Sequence, residues 1–435
     1  MKRGISALLA MAVCLGLAAC GEENKSAETE VVQQSVTLTV VTSYGGDDGN
    51  RGSFVAAVEE YQQATGVTVQ DYSAASNEEW KTKVLTDFMT GSEPDVLFYF
   101  TDADADPFIN AGKVVSIEEI REEYPDYATN MKESMMAVAA DGKHYAVPSS
   151  GFWETLFVNQ AVLEECGVAM PGADYTWEQF LQDCETIKQA GYTPIACSLY
   201  EIPHYWFEFA VMNNGSLSNH LEVPTLDENG ALRDNAVSRK WIAALEDIRF
   251  LYEAGFFPKN TLTATDAETT ALFGEGQAAF LIDGSWKVGY FTKNYPENLD
   301  DFKVRFVPGK GQRPATDAIG GISMGYFITR KAWEDPKRRE AAVAFVFHMT
   351  SEEVLGTFVT TEVTALVNGA EPKGLNTIQQ SAADAIVELT GVVGAVQDAI
   401  SGEAKSDLFV NLQKVVTGQM TAAQAVESAV RLNGT

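Results

Sequence analysis

The chain has 435 residues, with 31 basic and 61 acidic side chains and a formal charge of −30 at neutral pH. So acidic a chain is repelled by nucleic acid and by anionic lipid, which excludes a polyanionic partner held by a general basic field. Past residue 17 the apolar runs are short and interrupted, which excludes a spanning helix there, and the roughly 400 residues that follow the N-terminal segment are too many for one core and natural for two lobes.

In chain order, Lys2 and Arg3 precede an apolar run from Ile5 to Leu17, closed by Leu17-Ala18-Ala19-Cys20. The run is too short for a stable bilayer span and has the three-part layout of an export signal. Leu-Ala-Ala-Cys followed by Gly21 resembles a bacterial lipoprotein box. The resemblance implies a signal peptide over 1–19, a lipid on Cys20 (diacylglycerol, with palmitate-type acyl chains) and a protein held on the outer face of the cell membrane. Two or three acyl chains make a stable anchor where one does not. Ordinary signal cleavage beside an incidental cysteine is the competing reading. Residues 20–35 then form a flexible tether, because Glu22, Glu23, Asn24, Lys25, Ser26, Glu28 and Glu30 leave little to bury.

Val36–Val41 reads as a strand and leads into the glycine-rich loop Ser43-Tyr44-Gly45-Gly46-Asp47-Asp48-Gly49. Phe54, Val55, Val58 and Tyr61 recur at helical spacing up to Gly66. Val67–Val69 is a second strand. Ser76 and Glu79 make a capping box for a helix carrying Trp80, Val84, Leu85 and Phe88, stopped by Gly91. Asp95–Phe100 is an uninterrupted apolar run, the mark of a central strand covered on both faces. This is a doubly wound α/β opening. A second series starts after Pro148, with strands over Glu154–Val158, Pro194–Leu199, Ala278–Ile282, Val304–Val307 and Gly321–Thr329. Helices are expected from Asn159 to Gly167, from Thr176 to Gly191, over Trp241–Ala254 and over Ala267–Phe273. From Thr329 to Leu432 the Ala-rich periodicity reads as helical. Cys166, Cys184 and Cys197 have no metal-ligand spacing, and both a single disulfide and three free thiols remain open.

The order and wording of these pieces resemble the family 1 extracellular solute-binding proteins of ABC importers, the group containing the maltose-binding proteins. The resemblance spans about residues 36–431. Four stretches carry it: Glu93-Pro94-Asp95-Val96 followed by Phe108–Val115; Asp141–Pro148 followed by Phe157-Val158-Asn159; Phe273–Phe280 running to Gly284-Ser285-Trp286; and Gly320–Ser323 with the helix that follows. It implies a fold of two discontinuous α/β lobes joined by crossover strands, periplasmic-binding-protein-like of type II, with a ligand cleft between them. Crossovers are expected near Tyr145–Ser149, Phe306–Gly311 and Thr350–Thr357. The first lobe is then 36–147 plus 310–352, and the second 148–309 plus 353–435. The implied role is capture of a sugar, an oligosaccharide, by a monomer that hands it to the permease subunits of an ABC transporter. No cofactor is implied.

A sugar needs hydrogen-bonding carboxylates and amides beside flat aromatic faces. Such residues cluster at the expected strand ends, where doubly wound sheets bind ligands: Ser43, Tyr44, Asp47 and Asp48; Tyr99 and Asp102; Trp153 and Glu154; Tyr205 and Trp206; Asp283 and Trp286. Gly321 offers backbone approach, and Glu362 and Thr364 follow the last crossover. In resembling proteins the tryptophan of the Gly-x-Trp turn stacks on the ligand, which points to Trp286. Core packing is the alternative for Tyr99 and Trp206, and simple loop solubility for Asp47 and Asp48. Trp80 and Trp241 lie on apolar helix faces and read as core.

Two other function classes fit the same residues less well. A glycosidase needs two carboxylates at a set separation, and with 61 acids a chance pair is unavoidable. The sequence lacks a nucleophile elbow and a phosphate loop, and the four histidines are scattered. Asp102, Asp104 and Asp106 mimic the start of a calcium loop, but Pro107 and Lys113 occupy its glycine and glutamate positions. Among binders, no arginine is placed to hold the α-carboxylate of a peptide or amino acid; a non-sugar solute (a peptide, a polyamine or another small molecule) stays the alternative to a sugar.

Overall fold

The computed structural model describes residues 36–46, 48–149, 151–322, 324–358, 365, 367 and 374–433. The signal segment, the Cys20 lipidation site, the tether, Asp47, Glu362 and Thr364 lie outside the described residues. The strands are β1 (Thr37–Val41), β2 (Thr68–Asp71), β3 (Val96–Phe100), β4 (Val147–Pro148), β5 (Gly151–Asn159), β6 (Thr193–Ala196), β7 (Ala278–Gly284), β8 (Phe302–Arg305), β9 (Asp317–Ile322), β10 (Met324–Ile328) and β11 (Gly391–Val393).

They form two sheets. The first runs β2-β1-β3-β10-β4, with β1 parallel to β2 and β3, and β10 antiparallel to β3 and β4. The second runs β11-β9-β5-β7-β6, with β8 paired to the later half of β5. Apolar runs without alternation have a simple cause here: helices cover both faces of each sheet. Leu38, Val40, Val96 and Phe98 pack into one cluster, whereas Val41, Leu97, Tyr99 and Phe327 pack into another. In the second sheet Leu156, Val158, Phe280 and Ile282 face one core, and Trp153, Phe157 and Leu281 the other.

Local signals fix most helix ends. Gly66 and Gly91 take left-handed conformations after the helices Arg51–Thr65 and Glu78–Thr90. Thr176 and Asn159 cap the helices after them as expected. At the second helix the cap is Asn77, whose side chain accepts from the Trp80 N–H at 2.8 Å, and not Ser76. Cys166, Cys184 and Cys197 are free thiols. Among the described residues no helix is long and apolar enough to cross a membrane.

The chain passes between the sheets on two strands that run side by side. β4 leads into β5 through Ser149, and β9 leads into β10; Pro148 pairs with Gly325 in the first sheet and Gly151 with Ile322 in the second. The first passage thus falls between Pro148 and Gly151. At the second, β9 pairs with β5 and β11, so residues 317–322 belong to the second sheet and the passage falls at 322–324 rather than at Phe306–Gly311. Hydrophobic burial moves the third as well. Val354, Leu355, Phe358 and Ala365 pack in the first-sheet core, while Ile378, Ala382 and Ala385 pack with Phe302 and Val304 of the second lobe. Val367 still donates its N–H to the Asn130 carbonyl of the first lobe, so the chain leaves that lobe beyond the expected Thr350–Thr357. The C-terminal part is also not wholly helical, since β11 joins the edge of β9.

Candidate functional site

β-Strand alternation decides what the second lobe presents beside the crossing strands. On β5, Phe152 and Glu154 share one face, and Trp153 and Thr155 the other. Glu154 is the register partner of Gly284 on β7. A Cβ on Gly284 would lie 2.1–2.3 Å from atoms of the Trp286 indole, so the ring is laid across this glycine on the face that carries Glu154. The indole is 41% exposed, and its centroid stands 5.9 Å from the Phe152 ring at 42°. Glu154 is only 3% exposed, and its Oε2 has no hydrogen-bond partner. Burial, and then the nearby Glu208, Asp283 and Asp398, hold its carboxyl well above the usual carboxylate range. An aromatic platform thus adjoins a buried acid with unused capacity.

Around this pair the charges are fixed from behind. Asp283 Oδ1 accepts the Gly284 N–H at 2.7 Å, and its Oδ2 is 3.4 Å from Lys287 Nζ, which also binds Asp266 at 2.9 Å. Glu208, fully buried, accepts the backbone N–H groups of Val396 at 2.7 Å and Gln397 at 2.9 Å. His220 Nε2 lies 2.8 Å from the same carboxylate. Glu208 thereby pins the turn Val396–Ala399, whose Asp398 lies 3.8 Å from Lys405.

The first lobe supplies the facing wall from the ends of β1 and β3. The loop after β1 reaches the second lobe: a Cβ on Gly49 would lie 2.8 Å from the Gly289 Cα, an approach open only to glycine. Lys293, on the same helix as Gly289, acts on Asp48, whose carboxyl burial raises. After β3, Asp102 accepts the Asp104 N–H at 3.0 Å, and Lys81 pairs with Asp104 at 2.7 Å while lying over the Phe100 ring. Asp102 feels Lys405, and Asp398 feels Asp102 and Asp104, so the two acidic loops confront each other. Both side chains are open to solvent, yet the protein around them raises both carboxyls, as concave walls do.

A family model for bacterial extracellular solute-binding proteins matches residues 48–355. The chain belongs to this family. Solved structures agree in fold. A chitin oligosaccharide binding protein superposes with a TM-score of 0.77 at 20% identity, covering 92% of this chain and 98% of the other. The maltose/maltodextrin-binding domain from Bdellovibrio bacteriovorus, bound to maltotriose, gives 0.69 at 20%, covering 92% and 99%. A Listeria monocytogenes ABC substrate-binding protein in complex with cycloalternan gives 0.69 at 18%, covering 91% and 97%. No curated protein sequence matches the chain.

In this solute-binding protein the expected aromatics divide sharply. Trp286 stands at the surface, and Tyr205 is buried beside Asp283 and Glu154. The others are corrections. Trp153 is fully buried against Phe306, because consecutive residues of β5 point to opposite faces and the Trp286 side belongs to its neighbours Phe152 and Glu154. Tyr99 packs against Trp80 and Phe108, and Trp206 stacks on Phe180 at 5.9 Å. Tyr44 stacks on Phe98 at 4.9 Å. Ser43 is buried behind it, and Gly321 lies on β9 opposite Phe152 with open space where a Cβ would stand. Phe152, His204, Asp398 and Lys405 are the residues of this region that sequence reasoning passed over.

The raised acids make stability depend on pH. Asp283 and Asp398 are pushed from 3.8 up to about 6, chiefly by desolvation. The folded state therefore holds protons that the unfolded state releases; that stabilisation is full below 3.8 and is lost as pH rises through about 6. His204, lowered by burial to about 4, acts in the opposite sense between about 4 and 6.5. A difference measurement separates the two. In Asp398→Asn the melting midpoint of wild type minus variant falls as pH rises from about 4 to about 6 and is flat above. A constant difference across that window contradicts the assignment.

Proposed function

We propose that this solute-binding protein takes a carbohydrate, an oligosaccharide, between its lobes and delivers it to the permease of an ABC importer, held at the outer face of the membrane through a lipid on Cys20. The observation that carries the reading is the half-exposed Trp286 indole laid over Gly284 beside Phe152 and Glu154. A sugar ring presents C–H groups to an aromatic face while its hydroxyls turn edgewise to a carboxyl group. The fold relatives point the same way, as binders of chitin oligosaccharide, maltotriose and cycloalternan. The two side-by-side passages at 148–151 and 322–324 form the natural hinge, with Asp48 and Asp102 on one jaw and Trp286, Glu154 and Asp398 on the other. Binding proceeds without bond making or breaking.

The test is a melting screen of the exported protein against mono- and oligosaccharides, amino acids, polyamines and metal ions. A ligand that binds only the folded state raises the midpoint with its occupancy. The expected result is a rise with one class of oligosaccharide, the sugar being recovered unaltered. A rise with only a peptide, polyamine or metal overturns the substrate. A consumed sugar overturns the binder.

A further inference from the structure

Acidic groups converge on Glu154 from three separate elements. Glu208 comes from the helix His204–Asn213, Asp283 from β7, and Asp398 from the turn Val396–Ala399. Two of these four acids have a lysine beside them: Lys287 is shared by Asp283 and Asp266, and Lys405 lies beside Asp398. Glu208 is held instead by His220 and by the N–H groups of Val396 and Gln397. Glu154 has no cation beside it among the described residues, and its Oε2 has no hydrogen bond although the residue is 97% buried. A buried carboxyl without partner is costly in either protonation state, since one form leaves a charge and the other leaves a donor unmet. A hydroxyl from a solute meets the hydrogen bond of the neutral acid that burial favours. An ammonium group meets a hydrogen bond and also pairs the ionised form, so its binding releases the acid's proton to solvent.

Resting on the carbohydrate reading, we infer that the solute is an amine-bearing sugar, whose ammonium group meets Glu154 while the ring that carries it lies on Trp286. The geometry suits such a group twice over. Glu154 and the indole share one face of the sheet across the paired positions Glu154 and Gly284, so the acid lies beside the platform on which a ring would stack. The indole face attracts a cation as well. Asp48, Asp102 and Asp398 add negative potential around the site, and the −30 formal charge draws a cationic solute from solution.

The test is calorimetry at neutral pH on the exported protein with three probes of one length: a glucosamine trimer with free amines, the fully N-acetylated trimer, and maltotriose. The free-amine trimer is expected to bind about 10–100-fold more tightly than the other two, the usual strength of a charged hydrogen bond. Glu154→Gln, which keeps the shape but cannot ionise, is expected to abolish that preference. Tighter or equal binding of the acetylated trimer or of maltotriose overturns the inference and leaves the carbohydrate reading standing. An amine preference that survives Glu154→Gln also overturns it, because the charge is then read elsewhere. If none of the three sugars binds, the inference falls, and the melting screen against the other sugars decides the reading beneath it.

Discussion

Trp286→Ala is expected to weaken solute binding by about 1–3 kcal/mol, the range for losing a well-buried aromatic contact. The loss should appear in calorimetry as a weaker affinity, with the melting midpoint of the ligand-free protein nearly unchanged. The second half follows from exposure. The indole is 41% open and rests on Gly284 and Phe152, so its removal uncovers little core. A sugar stacked on that face covers most of what is now open, and the contact therefore belongs to the complex. Unchanged affinity would remove Trp286 from the site. A collapse of stability without ligand would make it a structural residue.

The largest effect on stability is expected at Glu208. Its carboxylate is fully buried and bound by His220 and by the N–H groups of Val396 and Gln397. Alanine there leaves an imidazole and two amides buried without their partner, and breaking a buried pair in this way costs about 3–5 kcal/mol. Urea unfolding should register it as a lower midpoint with an unchanged slope. Affinity should fall as well, because the freed turn no longer holds Asp398 at the wall opposite Asp102. A midpoint equal to that of wild type would mean that the bonds on Glu208 are not made in solution.

Much of the fold was legible because it rests on local rules. The run Val96–Phe100 reads as a central strand since both of its faces are covered, and Gly66 and Gly91 stop helices since they accept left-handed backbone. The crossover near Phe306–Gly311 was misplaced for an equally physical reason. β9 and β10 form one nearly continuous extended run, and the residue at which it changes sheets depends on partners distant in sequence, Trp153 on one side and Phe100 on the other. β11 is a three-residue edge strand with no periodicity to read.

The candidate site was legible only in part. The Gly-x-Trp turn pointed to Trp286, and the glycine proves to be the floor on which the indole lies. Trp153 and Glu154 were both expected in the cleft, which a strand forbids for consecutive residues; the period of two available in the sequence would have paired Glu154 with Phe152 instead. Asp398 and Lys405 had no signal of their own. They reach the site only because Glu208, almost 190 positions earlier, binds the turn that carries Asp398.

The central claim, that solute is captured on the Trp286 face, is open to a single optical measurement. Trp80, Trp153, Trp177, Trp206, Trp241 and Trp333 are all buried, which leaves Trp286 as the one exposed indole among the seven tryptophans. Acrylamide should therefore quench one accessible component of the protein's fluorescence, and a ligand that raises the melting midpoint should protect that component as it saturates. If such a ligand binds while the accessible component stays as quenchable as before, the solute does not lie on Trp286 and the site has been placed wrongly.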